Sequence, residues 1–326
     1  MEQAAIVHAT HSRPDRPSGR TSVVICAYTL DRWLDLERAV RSVQAQSPAP
    51  LEAILVVDHN AELADRARTA WPEIRIVESR GPRGLSGARN TGVEEAAGTF
   101  VAFLDDDAAA EPGWLEQLVA PYSDKLVVAT GGHAEAAWDA GRPTWFPPEF
   151  DWVVGCSYVG LPRERARVRN PIGSTMSFRG EAVLEAGGFS SAVGRIGATP
   201  TGGEETELCI RIQRLRPDAR VILVPTAAVR HRVPAARGTF RYFCARCFQE
   251  GRSKARIAAL EGSSAALASE RTYTTRTLPR AVVRGVGEAL RGRPAGLARA
   301  GAVVAGLGLT TAGYVAGRLI RLGGAG

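Results

Sequence analysis

The chain of 326 residues is poor in cysteine, histidine and methionine, and these shortages narrow its class. Its five cysteines, Cys26, Cys156, Cys209, Cys244 and Cys247, are odd in number and dispersed, so no disulfide framework is evident and a reducing, cytoplasmic setting is expected. Cys244 and Cys247 form a single CxxC with no second CxxC or HxxxH, a pattern that fits helix-face thiols better than a zinc site or a redox pair. The first residues lack the apolar run of a signal peptide, and residues 1–20, with HSRPDRPSGR among them, are expected to be a flexible leader. No internal repeat is visible. The glycine-rich stretch 81–98 matches neither GxGxxG nor GxxxxGK[ST], which removes the dinucleotide and P-loop readings.

Acidic residues are scarce in the last quarter. From Arg271 onward there are nine arginines (271, 276, 280, 284, 291, 293, 299, 318 and 321) against one acid, Glu288, a larger excess than the net +7 of the whole chain. The basicity therefore belongs to the tail, and it points to polyanionic partners such as phosphates, anionic lipid or nucleic acid. No nucleic-acid module is recognisable there, so no specific nucleic acid partner is expected. Residues 300–317 carry no charge and as a helix would span about 27 Å, just short of a ~30 Å hydrocarbon core. Five glycines dilute its apolar residues, so a helix lying on an anionic membrane surface is expected; a soluble appendage covering the sheet or joining a homo-oligomer is the other reading.

What is present is the composition and rhythm of an α/β protein. With 45% hydrophobic and 23% charged residues the chain can bury a large core. Short β-branched runs at 21–28, 52–58 and 74–78 alternate with helical spacing at 30–46 and 61–70, which predicts a mostly parallel sheet flanked by helices. Next, GPRGLSGARNTGVEEAAG opens a helix with free backbone N–H groups, a place for an anion. It leads into the strand 99–104 and then into Asp105, Asp106 and Asp107. Three carboxylates at the carboxyl end of a buried strand either hold a divalent cation or cap a solvated turn ahead of a helix starting near Pro112. Further strands are expected at 126–130, 172–178, 221–224 and 229–233, with helices at 181–186 and 202–217. Residues 138–163, rich in aromatics and proline, are expected to be an irregular excursion, either an acceptor wall or a satellite core.

Four ordered motifs, TSVVICAYTLDR, GLSGARNTGV running into FLDDDA, GGEETEL, and VRHRVP, together resemble the family 2 glycosyltransferases over residues 21–254. The resemblance is strongest to members acting on polyprenyl- or dolichyl-phosphate sugars, such as the glucuronosyltransferases of glucosyl-dolichyl phosphate. It implies a GT-A domain over 21–239, a helical basic extension over 240–326, and inverting transfer from a nucleotide-sugar donor to a glycan, lipid-linked or small-molecule acceptor. It assigns Ala27 and Tyr28 to the donor site, Asp58 to the uracil N3–H, and Arg89 with Asn90 to the uridine pocket. Asp105 and Asp107 become the outer residues of a DxD motif, beside the ribose and the metal, with Asp106 among the donor-binding residues. Asp107 and His231 would hold Mg²⁺ or Mn²⁺ together with the donor diphosphate. Glu205 stands where relatives have an aspartate base. Because the extra methylene moves its carboxylate by roughly an ångström, Glu204 stays a second candidate. A nucleotidyltransferase and a catalytically inactive lipid-binding scaffold are the competing readings.

Overall fold

In the computed structural model the described residues are 20–193, 202–262 and 270–323; all of the expected leader except Arg20 lies outside them. The first half winds as predicted. Strands β1 (Thr21–Ala27), β2 (Glu52–Val57), β3 (Arg75–Glu78) and β4 (Phe100–Asp105) alternate with helices α1 (Trp33–Gln44), α2 (Ala61–Ala70) and α3 (Leu85–Glu95). They pair in parallel in the order β3-β2-β1-β4. Both faces of these strands are covered, which is why they read as continuous apolar runs. Val23, Ile25, Leu55 and Val57 pack against Leu36, Val40 and Leu63 on one face. Val24, Ile54, Val56 and Phe103 pack against Phe178, Leu208 and Ile212 on the other. Asn60 caps α2, its Oδ1 accepting from the Leu63 N–H at 3.1 Å.

Beyond β4 the expectation of a mostly parallel sheet gives way to a mixed one. The chain continues through β5 (Ala108–Ala110), α4 (Trp114–Val119), β6 (Val127–Trp138), β7 (Ala166–Val168), β8 (Thr175–Arg179), α5 (Gly180–Glu185), α6 (Glu204–Leu215) and β9 (Arg220–Val233). Strand β8 runs antiparallel to both β4 and β6, β9 is parallel to β6, and β5 and β7 lie antiparallel to β9. Three local expectations change here. Helix α4 is capped by Gly113, in the left-handed region, so Pro112 precedes the cap instead of opening the helix. The strand expected at 126–130 runs on to Trp138, through GGHAEAAW, a stretch with no β-branched residue to announce it. The strands expected at 221–224 and 229–233 are one strand that passes through Pro225, and β6 opposite it carries register irregularities between Val127 and Ala129 and between Gly131 and His133.

The C-terminal part adds α7 (Phe240–Glu261), α8 (Leu278–Leu290) and α9 (Ala295–Gly323). These helices share a core with the aromatic excursion: Phe146, Phe150, Val153 and Val154 are buried with Phe243, Cys247, Leu278, Ala302 and Val303. Part of the excursion is a 3-10 helix, Pro148–Val154, which stands between α9 and the carboxyl ends of the sheet strands.

Candidate active site

The parallel strands end on one side of the sheet, and there a cleft with about 900 Å³ of empty space opens. Ala27 and Tyr28, at the end of β1, and Asp58, just past β2, line it together with Asp105, Asp106, Asp107 and His231. Asp58 Oδ2 accepts the Gly84 N–H at 2.9 Å, and Asp58 Oδ1 lies 2.6 Å from His59 Nδ1. This ties the strand end to the glycine-rich loop.

Asp105 is the last residue of β4, paired with Cys26 of β1, while Asp106 and Asp107 occupy the turn into β5 and are buried. His231 reaches the same point from β9, where it pairs with Ala108 of β5. One donor atom each of Asp105, Asp107 and His231 lies within 4.8 Å of the others. His231 Nε2 is 3.1 Å from Asp107 Oδ1. Gly155, at φ +87°, keeps the excursion close over the imidazole; a Cβ there would stand 3.4 Å from the ring.

Two arginines that sequence reasoning missed complete the charge balance. Arg32 Nη1, from the short turn before α1, lies 2.7 Å from Asp106 Oδ1 and 3.3 Å from Asp107 Oδ2. Arg237 Nη2 lies 3.4 Å from Asp107 Oδ2. The signal was available only as position: Arg32 closes the TSVVICAYTLDR motif and Arg237 follows VRHRVP. Burial and the neighbouring Asp107 push Asp106 up to about 7, while Arg32 opposes them. Burial would also raise Asp107, but His231, Arg32 and Arg237 outweigh it and hold the carboxyl well below the usual range. His231 in turn is raised, because Asp107 outweighs the burial that would lower it. The carboxylates of half-buried Asp105 and buried Asp107, the His231 imidazole and the unpartnered Oδ2 of Asp106 are a donor set that suits Mg²⁺ or Mn²⁺. Cys26 also faces the cleft, but burial pushes its thiol up to about 12, so it is no nucleophile at neutral pH.

Arg89 and Asn90 sit behind this wall, and Glu204 and Glu205, on α6 beside Arg89, are not among the lining residues. Arg89, on α3, is buried against the Phe103 and Phe189 rings. Its guanidinium donates to Glu204 Oε1 at 2.9 Å, to the Gly173 carbonyl at 3.0 Å and to Asp105 Oδ1 at 3.5 Å. Asn90 is bound to the Phe189 backbone, accepting its N–H at 2.7 Å and donating to its carbonyl at 2.9 Å. Neither side chain lines the cleft. Glu204 opens α6, buried, with Oε2 unpartnered. Glu205 beside it is pushed up to about 8 by burial first and by Glu204 second, with Arg89 opposing. From α7, Tyr242 and Arg246 also line the cleft, and the Arg246 guanidinium sits 6.0 Å from the Trp152 ring centroid.

Comparison with known proteins bears on this geometry. Residues 22–185 match the family described as Glycosyl transferase family 2. The glucosyl-dolichyl phosphate glucuronosyltransferase of Haloferax volcanii is 38% identical over 239 residues, 72% of this chain and 76% of that protein. The pre-mycofactocin glycosyltransferase of Mycobacterium tuberculosis is 27% identical over 69% of this chain, which spans only 46% of that protein. Among solved structures, the mannosyltransferase PcManGT of Pyrobaculum calidifontis in complex with GDP-Man and Mn²⁺ superposes with a TM-score of 0.55 at 17% identity, over 91% of this chain and 88% of that one. GalNAc-T7 with UDP, GalNAc and Mn²⁺ gives 0.52 at 17% identity, over 79% of this chain and 56% of that one. At such identity these two likenesses concern the fold.

Proposed function

The chain belongs to the family 2 glycosyl transferases and has the GT-A fold, and from that premise we propose that it moves a sugar, with inversion, from a nucleoside diphosphate donor to the hydroxyl of a lipid-linked glycan acceptor. The donor in this reading is a UDP-sugar. The observation that carries the reading is the meeting of Asp105, Asp107 and His231 within 4.8 Å in a cleft that Tyr28 and Asp58 also line. Asp58 accepts the N3–H of the base, Tyr28, Ala27 and Asp106 belong to the donor site, and Asp105 and Asp107 lie beside the ribose. Asp107 and His231 would hold Mg²⁺ or Mn²⁺, whose bound charge neutralises the departing diphosphate. Arg32 and Arg237 bring positive charge to the same place.

Glu205 takes the proton of the acceptor hydroxyl as its oxygen attacks the anomeric carbon from the face opposite the diphosphate. A pKa near 8 makes it a stronger base than an exposed carboxylate. Glu204 serves less well, because Arg89 holds one of its oxygens. Arg89 and Asn90 act on the uridine pocket from behind, by fixing α3 against Asp105 and Phe189. The protein works in the cytoplasm at the inner face of the membrane, and a homo-oligomer is compatible with this arrangement.

The test is a panel of nucleotide sugars with Mn²⁺ and the purified protein, scored by release of nucleoside diphosphate, beside Asp107→Ala. Release from one donor that the variant loses supports the reading. Failure to bind any nucleotide by calorimetry, with or without Mn²⁺, overturns it in favour of an inactive scaffold.

A further inference from the structure

Helix α9 is packed inside out. Its buried side is built of small residues, Ala300, Gly306, Gly313 and Val303 among them, whereas Leu297, Val304 and Val315 are at least half exposed. The contact with α7 is at backbone distance: a Cβ at Gly251 would stand 2.0 Å from the Thr310 carbonyl oxygen, and one at Gly313 2.0 Å from that of Phe248. The outward side, from Leu297 through Gly301, Val304, Gly308 and Thr311 to Val315, holds no charged residue. A helix in water carries charged or polar residues on its outer face, and small residues between helices with larger apolar ones outside are a pattern of proteins in contact with lipid.

Length alone permits a crossing, because the 25 residues Ala295–Leu319 would span about 37 Å. The packing argues otherwise. Helix α7, fastened along α9 from Phe243 beside Gly306 to Arg252 beside Gly317, carries Arg246, Glu250 and Arg252 over that length, and a spanning α9 would carry these towards hydrocarbon. The neighbouring segments are cationic instead: Arg276, Arg280, Arg291, Arg293 and Arg318 are exposed, while Arg284 is held by Glu149 and Glu288 is paired with Arg299. Charge complementarity thus selects an anionic lipid surface as the occupant. The same helix backs the cleft: Gly306 sits against Phe150, and the turn that holds Phe150 sends Trp152, Val153 and Val154 into the cleft wall.

We propose that the outer face of α9 lies in the plane of an anionic membrane, arginines on the headgroups, and so presents the cleft to an acceptor carried on lipid. This deepens, and rests on, the reading of the protein as a transferase for a lipid-linked acceptor.

The experiment is sedimentation of the full chain with phosphatidylcholine vesicles, with and without phosphatidylglycerol, at low and high salt. The wild type is expected to sediment with anionic vesicles and to be released by salt and not to resist alkaline extraction as a spanning protein does. Val304→Glu and Val315→Glu, both at exposed positions, should each weaken binding about tenfold or more, the loss of one buried aliphatic side chain. Leu34→Glu, an equally exposed leucine on α1, should bind as wild type. Calorimetric Mn²⁺ and UDP binding is measured on every variant. Vesicle binding without nucleotide binding keeps this inference and sinks the transferase reading; nucleotide binding without vesicle binding does the reverse. Wild-type binding by the two glutamate variants, resistance to alkaline extraction, or a vesicle-free dimer that these variants abolish overturns the proposal in favour of another face, a span or a second copy.

Discussion

Arg89 Nη1 donates to Glu204 Oε1 across 2.9 Å, a bond that joins the helix after the glycine-rich loop to the helix that carries the proposed base. The same guanidinium reaches Asp105 at the end of β4, so one buried cation serves the acids of both clusters. Burial would lower its pKa, but Glu204, Asp105 and Glu205 outweigh burial and keep it charged. The two carboxylate groups are therefore one electrostatic unit.

Removing that cation leaves buried acids without a partner. Arg89→Met is expected to destabilise the fold by about 3–5 kcal/mol, the loss seen when one side of a buried ion pair is deleted. Arg89→Met with Glu204→Gln should recover part of this. Urea unfolding of both variants measures it, and a double variant no more stable than Arg89→Met alone would show that the pair is not what the cation supports.

His231 owes its raised pKa to Asp107, against the burial that would lower it. The Asp107→Asn variant is expected to lose Mn²⁺ binding and to lower the His231 pKa towards a neutral ring, since the largest group opposing burial is then gone and only Cys156 still opposes it. Imidazole ¹⁵N shifts of metal-free protein read this directly. In the wild type, Mn²⁺ affinity should fall as pH falls, because the metal competes with the proton on the ligands. A protonated His231 in the variant would contradict the assignment.

Glu205 supplies a pH dependence of two kinds. Its folded pKa is raised from 4.5 to about 8, so the native state holds a proton that the unfolded state releases between those values. Stability from this group is fully present below about 4.5 and is lost as pH rises through about 8. Turnover runs the opposite way, since the base must be ionised, and kcat should climb towards pH 8. Glu205→Gln is expected to reduce kcat by about 10²- to 10⁴-fold, to spare UDP binding, and to remove that part of the stability slope. Thermal midpoints across this pH range, beside kcat, test both halves.

The legible parts of the fold were those where local chemistry and burial agree. The bounds of α2, residues 61–70, follow from the Asn60 cap and the apolar spacing of Leu63, Ala64 and Ala67. The strands β1, β2 and β4 were readable because both of their faces are buried. The far half of β6 was not, since Gly131, Gly132 and three alanines owe their strand conformation to pairing with β9 and not to propensity. Pro225 hid the continuity of β9 in the same way. Within the site, motif positions brought Asp58, Asp105, Asp107 and His231 to one cleft. Arg32 and Arg237 escaped notice because a surface arginine and a charge-balancing arginine look alike until the partners, Asp106 and Asp107, are placed. The motif position of Arg89 points to the pocket, whereas its burial behind Asp105 depends on Phe103 and Phe189, which lie far apart in sequence.

Glycines of the C-terminal helices separate contact from propensity, and substitution there has opposite signs at neighbouring turns. At Gly251 any side chain would meet the Thr310 oxygen at 2.0 Å and the Tyr314 nitrogen at 2.6 Å, both backbone atoms that can yield only if α7 and α9 part. Gly251→Leu is therefore expected to cost at least the 1–3 kcal/mol (~) of an overpacked core. Because α9 also rests on Phe150 and Phe243, parting the helices loosens the wall that carries Trp152, and the donor KM should rise. Gly301 and Gly308, by contrast, face open space, with nothing within 4 Å of a built Cβ. Alanine at either should stabilise the helix by roughly 0.5–1 kcal/mol in water through propensity alone. Hydrogen exchange of residues 295–319 separates the cases: faster in Gly251→Leu, unchanged or slower in Gly301→Ala. Slower exchange in Gly251→Leu would mean that the α7–α9 contact is not the close one described.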